Sequence, residues 1–155
     1  MASETSLPII LIAHDHTDDL FFLRRRLDQI AIKNPIVTFS DGDRLLAFLR
    51  AMNVRGTREI SLRPGALFLD LDLPGEAAFD ALKWLSGDGA IKGLQVVVLS
   101  DADNGPRLRR AKDLGVVHFL GKRPTPDAVE KIARAAHLLV KPASKTKFSR
   151  SGAKP

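Results

Sequence analysis

Five short apolar runs recur along the chain and constrain its fold more than any other feature. They are Ile9–Ala13, Ile36–Phe39, Ala66–Leu69, Gln95–Leu99 and Val117–Leu120. Their residues are almost continuously hydrophobic, which is typical of parallel strands that are covered on both faces. We therefore predict five strands of one parallel sheet.

Segments with helical periodicity separate these runs. The residues that carry it are Leu20, Leu23, Leu27 and Ile30; Leu45, Leu49 and Met52; Phe79, Leu82 and Leu85; the basic segment Arg107–Asp113; and Val129, Ile132, Ala133 and Ala136. Thr17 is the expected N-cap of the first helix and Thr125 that of the last, where Pro126 takes the first helical position. The alternation predicts an α/β fold, a doubly wound five-stranded parallel sheet with five helices.

Length and composition fit a single domain that folds without covalent staples. The chain has 155 residues and no cysteine, which excludes disulfides, thiolate metal sites and cysteine nucleophiles. The apolar run Pro8–Ala13 is too short for a signal-peptide core or a membrane span. We expect a cytoplasmic protein with no membrane span.

The formal net charge of +6 is concentrated at the C-terminal end. Residues 141–155 contain five basic residues and no acid, which leaves +1 for residues 1–140. The five are Lys141, Lys145, Lys147, Arg150 and Lys154. We therefore expect a folded domain over 1–140 and a disordered basic tail over 141–155. Because no recognition motif accompanies the tail, nucleic-acid binding is not indicated.

Polar residues follow four of the predicted strands. They are His14 and Asp15 after the first, Asp70 after the third, Ser100 after the fourth and Lys122 just beyond the fifth. In a doubly wound sheet, ligands bind beyond the carboxyl ends of the strands. Carboxylates, a hydroxyl and a lysine at one edge suit a phosphoryl group together with a hard divalent cation such as Mg²⁺.

This arrangement resembles the receiver domain of response regulators over residues 8–140. The most specific segment is Leu69-Asp70-Leu71-Asp72-Leu73-Pro74-Gly75. The resemblance implies the flavodoxin-like receiver fold and phosphorylation of Asp70. It also implies that Asp15, Asp70 and the backbone carbonyl of Asp72 hold Mg²⁺, with Mn²⁺ as an alternative ion. His14 is a further candidate ligand.

The same resemblance assigns three residues to the phosphoryl switch. Ser100 matches the hydroxyl that follows the phosphoryl group, and Lys122 matches the lysine that pairs with it. Phe119 matches the aromatic residue that swings inward. The long segment Arg50–Arg63 and the lack of an output domain resemble stand-alone regulators that accompany phytochrome-type histidine kinases.

Such regulators are switches in two-component phosphorelays rather than enzymes. The implied phosphoryl donor is a histidine kinase or a phosphotransfer protein, and the output is contact with a downstream protein target. The family also often dimerises through the fourth helix, fifth strand and fifth helix, so a homodimer is a further expectation. Because four successive apolar residues cannot share one helical face, we expect Phe21 or Phe22 to be exposed at the donor interface.

Three positions depart from the family pattern. His14 replaces the first of two adjacent acids, Arg123 stands where proline usually follows the lysine, and Ala77-Ala78 stands where Asp-Gly is frequent. A cis peptide bond before Arg123 would cost about 3–4 kcal/mol. We therefore expect either a trans bond between Lys122 and Arg123 or a compensating interaction. The departures make a degenerate receiver, which binds partners without phosphorylation, the main alternative.

Two enzyme hypotheses rest on local similarity alone. The segment from His14 to Asp19 resembles the zinc motif of the metallo-β-lactamase fold, but that chemistry needs further histidines in a larger two-sheet sandwich. The segment Phe68-Leu69-Asp70-Leu71-Asp72 resembles the nucleophile motif of haloacid-dehalogenase-like phosphatases, but Gly-Thr does not follow it. Both are less well supported than a receiver.

Overall fold

The computed structural model describes residues 7–55, 63–87, 89–101 and 104–138. Strands and helices alternate along the described chain. They are β1 (Ile9–Ala13), α1 (Thr17–Gln29), β2 (Ile36–Phe39), α2 (Gly42–Arg55), β3 (Pro64–Asp70), α3 (Ala77–Ser86), β4 (Gln95–Leu99), α4 (Gly105–Asp113), β5 (His118–Leu120) and α5 (Pro126–Ala135). The predicted α/β class, with five strands and five helices, is confirmed.

The five strands form one parallel sheet in the order β2-β1-β3-β4-β5. The order reverses between β1 and β3, which is the topological switch point where doubly wound sheets bind ligands. Ala13 pairs in register with Leu69, and Asp70 pairs with Leu99. The carboxyl ends of β1, β3 and β4 therefore lie side by side.

Each face of the sheet has its own hydrophobic core. Alternate residues of β1 belong to different cores, with Leu11 on the face covered by α2, α3 and α4, and Ile12 on the face covered by α1 and α5. Both side chains are fully buried. This two-sided burial explains why the strands are continuously apolar in sequence.

Element boundaries differ from the sequence predictions at several places. Thr17 is the first residue of α1 and not its N-cap; His16 takes the cap position without a side-chain hydrogen bond. Asp18 and Asp19 lie in the first turn, where carboxylates stabilise the positive end of the helix dipole. Thr125 does cap α5, since its side chain accepts a hydrogen bond from Ala128 N–H.

Three elements have different starting residues. β3 starts at Pro64 and α4 at Gly105, both earlier than predicted, whereas β5 starts one residue later, at His118. The predicted tail, 141–155, and part of the segment Arg50–Arg63 lie outside the described residues. None of the described helices is long and apolar enough to cross a lipid bilayer.

Candidate functional site

Asp70 lies at the end of the central strand, where its side chain is 1% exposed. A carboxylate at that depth needs compensating donors or cations. Its Oδ1 accepts a hydrogen bond of 2.9 Å from the backbone N–H of Asp72 and lies 3.3 Å from Lys122 Nζ. These two contacts come from the following loop and from the loop after β5, so two separate segments hold the carboxylate in place.

Lys122 is shared between two carboxylates. Its Nζ lies 2.7 Å from Asp72 Oδ2, closer than its distance of 3.3 Å to Asp70 Oδ1. Burial alone would lower the pKa of Lys122, but the hydrogen bond to Asp72 and the charge of Asp70 outweigh it, and the pKa is raised. The lysine is thus charged at neutral pH and can neutralise negative charge beside Asp70.

Two residues near the start of α4 also contact Asp72. Asn104 Nδ2 donates to Asp72 Oδ1 at 3.3 Å, and Arg107 NH1 lies 3.9 Å from the same oxygen while donating to the carbonyl of Leu71. From the sequence, Asp72 was predicted to contribute only its backbone carbonyl, and Asn104 and Arg107 were not predicted at the site. One signal was available: the amino end of the helix after β4 must also lie at the carboxyl edge of the sheet.

His14 is buried beside the candidate acceptor. Its side chain is 1% exposed, and Nδ1 lies 3.2 Å from Asp70 Oδ2. Burial lowers the pKa of His14, and the nearby charge of Asp70 opposes that shift only in part, so the imidazole is neutral near pH 7. Nε2 has no hydrogen-bond partner among the described residues.

His14, Asp15 and Asp70 each place one ligand atom within 4.8 Å of the others. His14 Nδ1 accepts a hydrogen bond of 3.3 Å from the backbone N–H of His16, and with the ring proton on Nε2 the lone pair of Nδ1 can instead face a metal ion. Nitrogen and carboxylate ligands together suit a transition ion such as Mn²⁺ at least as well as Mg²⁺. The residues present therefore fit a divalent cation.

The zinc-hydrolase hypothesis has no such support. Its motif needs His16 as a ligand, but the His16 side chain is 60% exposed and lies 3.5 Å from Asp19. Within the described part of the chain, the group able to hold a metal comprises His14, Asp15 and Asp70 without His16. The single sheet of the described chain also differs from the two-sheet sandwich of the metallo-β-lactamase fold.

Two of the predicted switch residues lie beyond β3: Ser100 directly follows β4, and Phe119 lies on β5. Ser100 follows Leu99, the register partner of Asp70, and is buried; its Oγ donates to the carbonyl of Asp101 at 3.3 Å. Phe119 is half-buried and packs against the core on the α4 side. Their roles in a switch stay predictions.

The first helix exposes an aromatic residue beside the site. Phe21 is 62% exposed, whereas Leu23 is buried and Phe22 is half-buried. At least one exposed phenylalanine was expected from the four successive apolar residues, and its part in a donor interface stays a prediction.

The Lys122–Arg123 bond is trans, as is every described peptide bond.

Comparison with known proteins connects this site to a family. No protein-family model matches the sequence. The chain is 28% identical over 123 residues to the response regulator Rcp1 of Synechocystis sp., a match that covers 79% of this chain and 82% of Rcp1. The Mn²⁺-bound structure of Rcp1 matches with 25% identity and a TM-score of 0.66, over 86% of this chain and 96% of that one.

Two further solved structures are similar. The bacteriophytochrome response regulator AtBRR matches with 25% identity and a TM-score of 0.70, over 88% of this chain and 96% of its own. The phosphorylated cyanobacterial phytochrome response regulator RcpA matches with 25% identity and a TM-score of 0.65, over 84% and 91%. The order of strands, the acids and lysine at one sheet edge and these similarities agree: the chain has the receiver fold and is similar to the phytochrome response regulators.

Proposed function

We propose that this chain is a switch that accepts a phosphoryl group on Asp70 in a two-component phosphorelay. The observation that carries the proposal is the environment of Asp70: a buried carboxylate 3.3 Å from Lys122, with ligand atoms of His14 and Asp15 within 4.8 Å. A reactive carboxylate, a charged lysine and a group of metal ligands meet at this one point. Phosphorylated RcpA and Mn²⁺-bound Rcp1 support both parts of the proposal.

In the transfer, a carboxylate oxygen of Asp70 bonds to phosphorus while the bond from phosphorus to the donor's leaving group breaks. The product is an acyl phosphate, and the leaving group departs with its electron pair. Lys122 can follow the charge onto the phosphoryl oxygens, since its Nζ is within 3.3 Å of the acceptor. A divalent cation, when bound, neutralises the remaining charge on those oxygens.

His14, Asp15, Asp70 and the backbone carbonyl of Asp72 would hold that cation. Their contribution is to bring the acceptor and the ion together before a donor arrives, which removes the entropic penalty of assembling them in the transition state. Mg²⁺ is the expected ion, and the imidazole of His14 makes Mn²⁺ a competitor.

The donor would be a histidine kinase or a phosphotransfer protein that docks on α1 near Phe21 and Phe22. The output would be contact with a downstream protein or with a second copy of the chain. In this proposal the protein turns over no diffusible substrate of its own, and the expected cytoplasmic location stays a prediction. A degenerate receiver is the second candidate, because buried His14 stands where the family carries an acid.

Intact mass spectrometry after incubation with acetyl phosphate and Mg²⁺ tests the acceptor. Wild type should gain one phosphoryl group, and Asp70→Asn should gain none. Asp80→Asn is a matched control, because Asp80 is an exposed acid on α3 and should behave as wild type. Repeating the reaction with Mn²⁺ and with EDTA tests the need for an ion.

An adduct that survives in Asp70→Asn would disprove the assignment of the acceptor. Absence of an adduct on both proteins with either ion would favour the degenerate receiver. Hydrolysis of a model phosphate ester by wild type, lost in Asp70→Asn, would revive the phosphatase hypothesis.

A further inference from the structure

The loop that carries Lys122 is attached to α1 through the residue that follows the lysine. Lys122 lies between the end of β5 at Leu120 and the start of α5 at Pro126, outside regular secondary structure. Arg123 Nε donates to Asp19 Oδ1 at 2.9 Å. Asp19 is 13% exposed and Arg123 is 58% exposed, so the carboxylate of this pair is shielded from water but the guanidinium is not.

An aromatic ring on α1 strengthens this attachment. The guanidinium of Arg123 lies 5.3 Å from the centroid of the Phe22 ring, and that of Arg26 lies 4.4 Å from it. Arg26 Nε also donates to the carbonyl of Pro124 at 3.0 Å. The two residues after Lys122 are therefore both held to α1 by planar guanidinium groups, which stack on aromatic faces in a way an ammonium cannot.

The attachment joins the two sides of the candidate site. The segment from β1 to α1 supplies His14 and Asp15, and the loop after β5 supplies Lys122. A lysine has a flexible four-carbon stem, so the position of its charge depends on how well its backbone is fixed. Fixing the loop on α1 sets the distance between the lysine and the metal ligands.

We propose that Arg123 is a positioning residue that acts through Lys122: its bond to Asp19 and its stacking on Phe22 hold the lysine beside the acceptor. This inference rests on the proposed phosphorylation of Asp70. Arg123 is itself 58% exposed and contributes little to the core, so its effect on the reaction is separable from an effect on folding.

A double-mutant cycle tests the inference. The initial rate of phosphorylation by acetyl phosphate at saturating Mg²⁺ is measured for wild type, Arg123→Ala, Lys122→Met and the double variant. Acetyl phosphate makes the rate independent of protein docking on α1. Arg123→Ala should lower the rate about threefold to tenfold when Lys122 is present. In the Lys122→Met background it should change the slower rate by less than about twofold.

Two further variants exclude a general effect of the substitution. Asp19→Ala removes the acceptor of the Arg123 hydrogen bond on the side of α1 and should reproduce the loss. Arg134→Ala removes an exposed arginine that pairs with Glu130 on α5 and should leave the rate unchanged. The melting temperatures of all variants are compared to detect any loss of stability. Arg123→Lys keeps the charge but loses the stacking, so it should rescue the rate only in part.

The outcomes separate this inference from the function on which it rests. Equal rates for wild type and Arg123→Ala would overturn the inference and leave phosphorylation of Asp70 standing. The same fractional loss with and without Lys122 would show that Arg123 acts through general structure, and would also overturn it. Failure of wild type to form any adduct would reject the proposed function, and this inference with it.

Discussion

The candidate site has two halves that differ in how well their polar groups are partnered. In the lysine half, formed by Asp70, Asp72, Lys122 and Arg107, each carboxylate has a cation within 4 Å. In the histidine half, formed by His14 and Asp15, the imidazole is buried with Nε2 unpartnered among the described residues, and Asp15 is exposed. The lysine half is complete within the protein, whereas the histidine half offers ligand atoms to a cation.

The contrast teaches where the departure from the family pattern has its effect. A neutral imidazole in place of an acid removes one negative charge from the metal side of the site and leaves the phosphoryl side unchanged. Metal affinity should therefore respond more to changes at His14 than at Lys122, and the rate of phosphoryl transfer more to changes at Lys122 than at His14. The four predictions below test this division.

The largest effect is expected from the lysine half. Lys122→Met removes the cation nearest Asp70 and leaves the carboxylates of Asp70 and Asp72 to repel each other. The rate of phosphorylation by acetyl phosphate should fall roughly a hundredfold, as when one preorganised charge donor is lost. Lys131→Ala, an exposed lysine of α5, is the control. A rate that stays near that of wild type would mean that Lys122 has no role in the transfer.

The next effect concerns the metal. His14→Asp restores a charged oxygen ligand, and Mg²⁺ affinity at pH 7.5 should rise about tenfold to a hundredfold, the value of one charge-assisted contact of roughly 1–3 kcal/mol. The advantage of Mn²⁺ over Mg²⁺ should shrink in the same variant. His16→Asp adds the same charge at an exposed position and should do much less. Equal affinities for wild type and His14→Asp would mean that His14 does not serve the metal site.

A smaller effect is expected on stability as the pH falls without divalent ions. Burial lowers the pKa of His14 below its usual 6.5, so the unfolded chain binds this proton more readily than the folded protein. The contribution of His14 to the free energy of unfolding is therefore fully present above its pKa in the unfolded chain. It is lost as the pH falls from there through the lowered pKa of the folded protein.

Chemical denaturation in EDTA at several pH values between about 7.5 and 5 measures this dependence, a window set by the usual histidine pKa. Wild type should lose more free energy of unfolding over that interval than His14→Asn, which has no such proton. Identical slopes for wild type and His14→Asn would contradict the burial of a neutral imidazole.

The smallest effect on stability is expected at Phe21, on the helix that follows the histidine half. Phe21→Ala should change the free energy of unfolding by less than about 0.5 kcal/mol, because its side chain is 62% exposed. It should nevertheless slow transfer from a phosphorylated phosphotransfer protein while leaving transfer from acetyl phosphate unchanged. Val117→Ala, another exposed apolar residue, is the control. Equal protein-to-protein rates for both variants would place the donor elsewhere.

The order of the elements and the edge of the sheet where the site lies follow from the amino-acid sequence alone. Continuous apolar runs separated by helical periods are compatible with few folds, and the carboxyl ends of parallel strands share one edge. The positions of Asp70 and Lys122 beside each other followed from that topology, and the structure confirms their contact at 3.3 Å. The resemblance to receivers then supplied their roles.

The partners of the charged side chains, in contrast, became known only from the folded structure. The carboxylate of Asp72 contacts Lys122 and Asn104, and Asn104 is 32 residues away in sequence. Arg123 donates to Asp19, which is 104 residues away. Local preferences do not encode such contacts, because they depend on how two helices settle on the sheet. The first residue of α1 was likewise misassigned, since an N-cap is worth only about 1 kcal/mol and packing of the helix can outweigh it. The environment of His14 also depends on the fold. Its position after β1 was visible in the sequence, but its 3.2 Å contact with Asp70 forms only because β1 and β3 lie side by side.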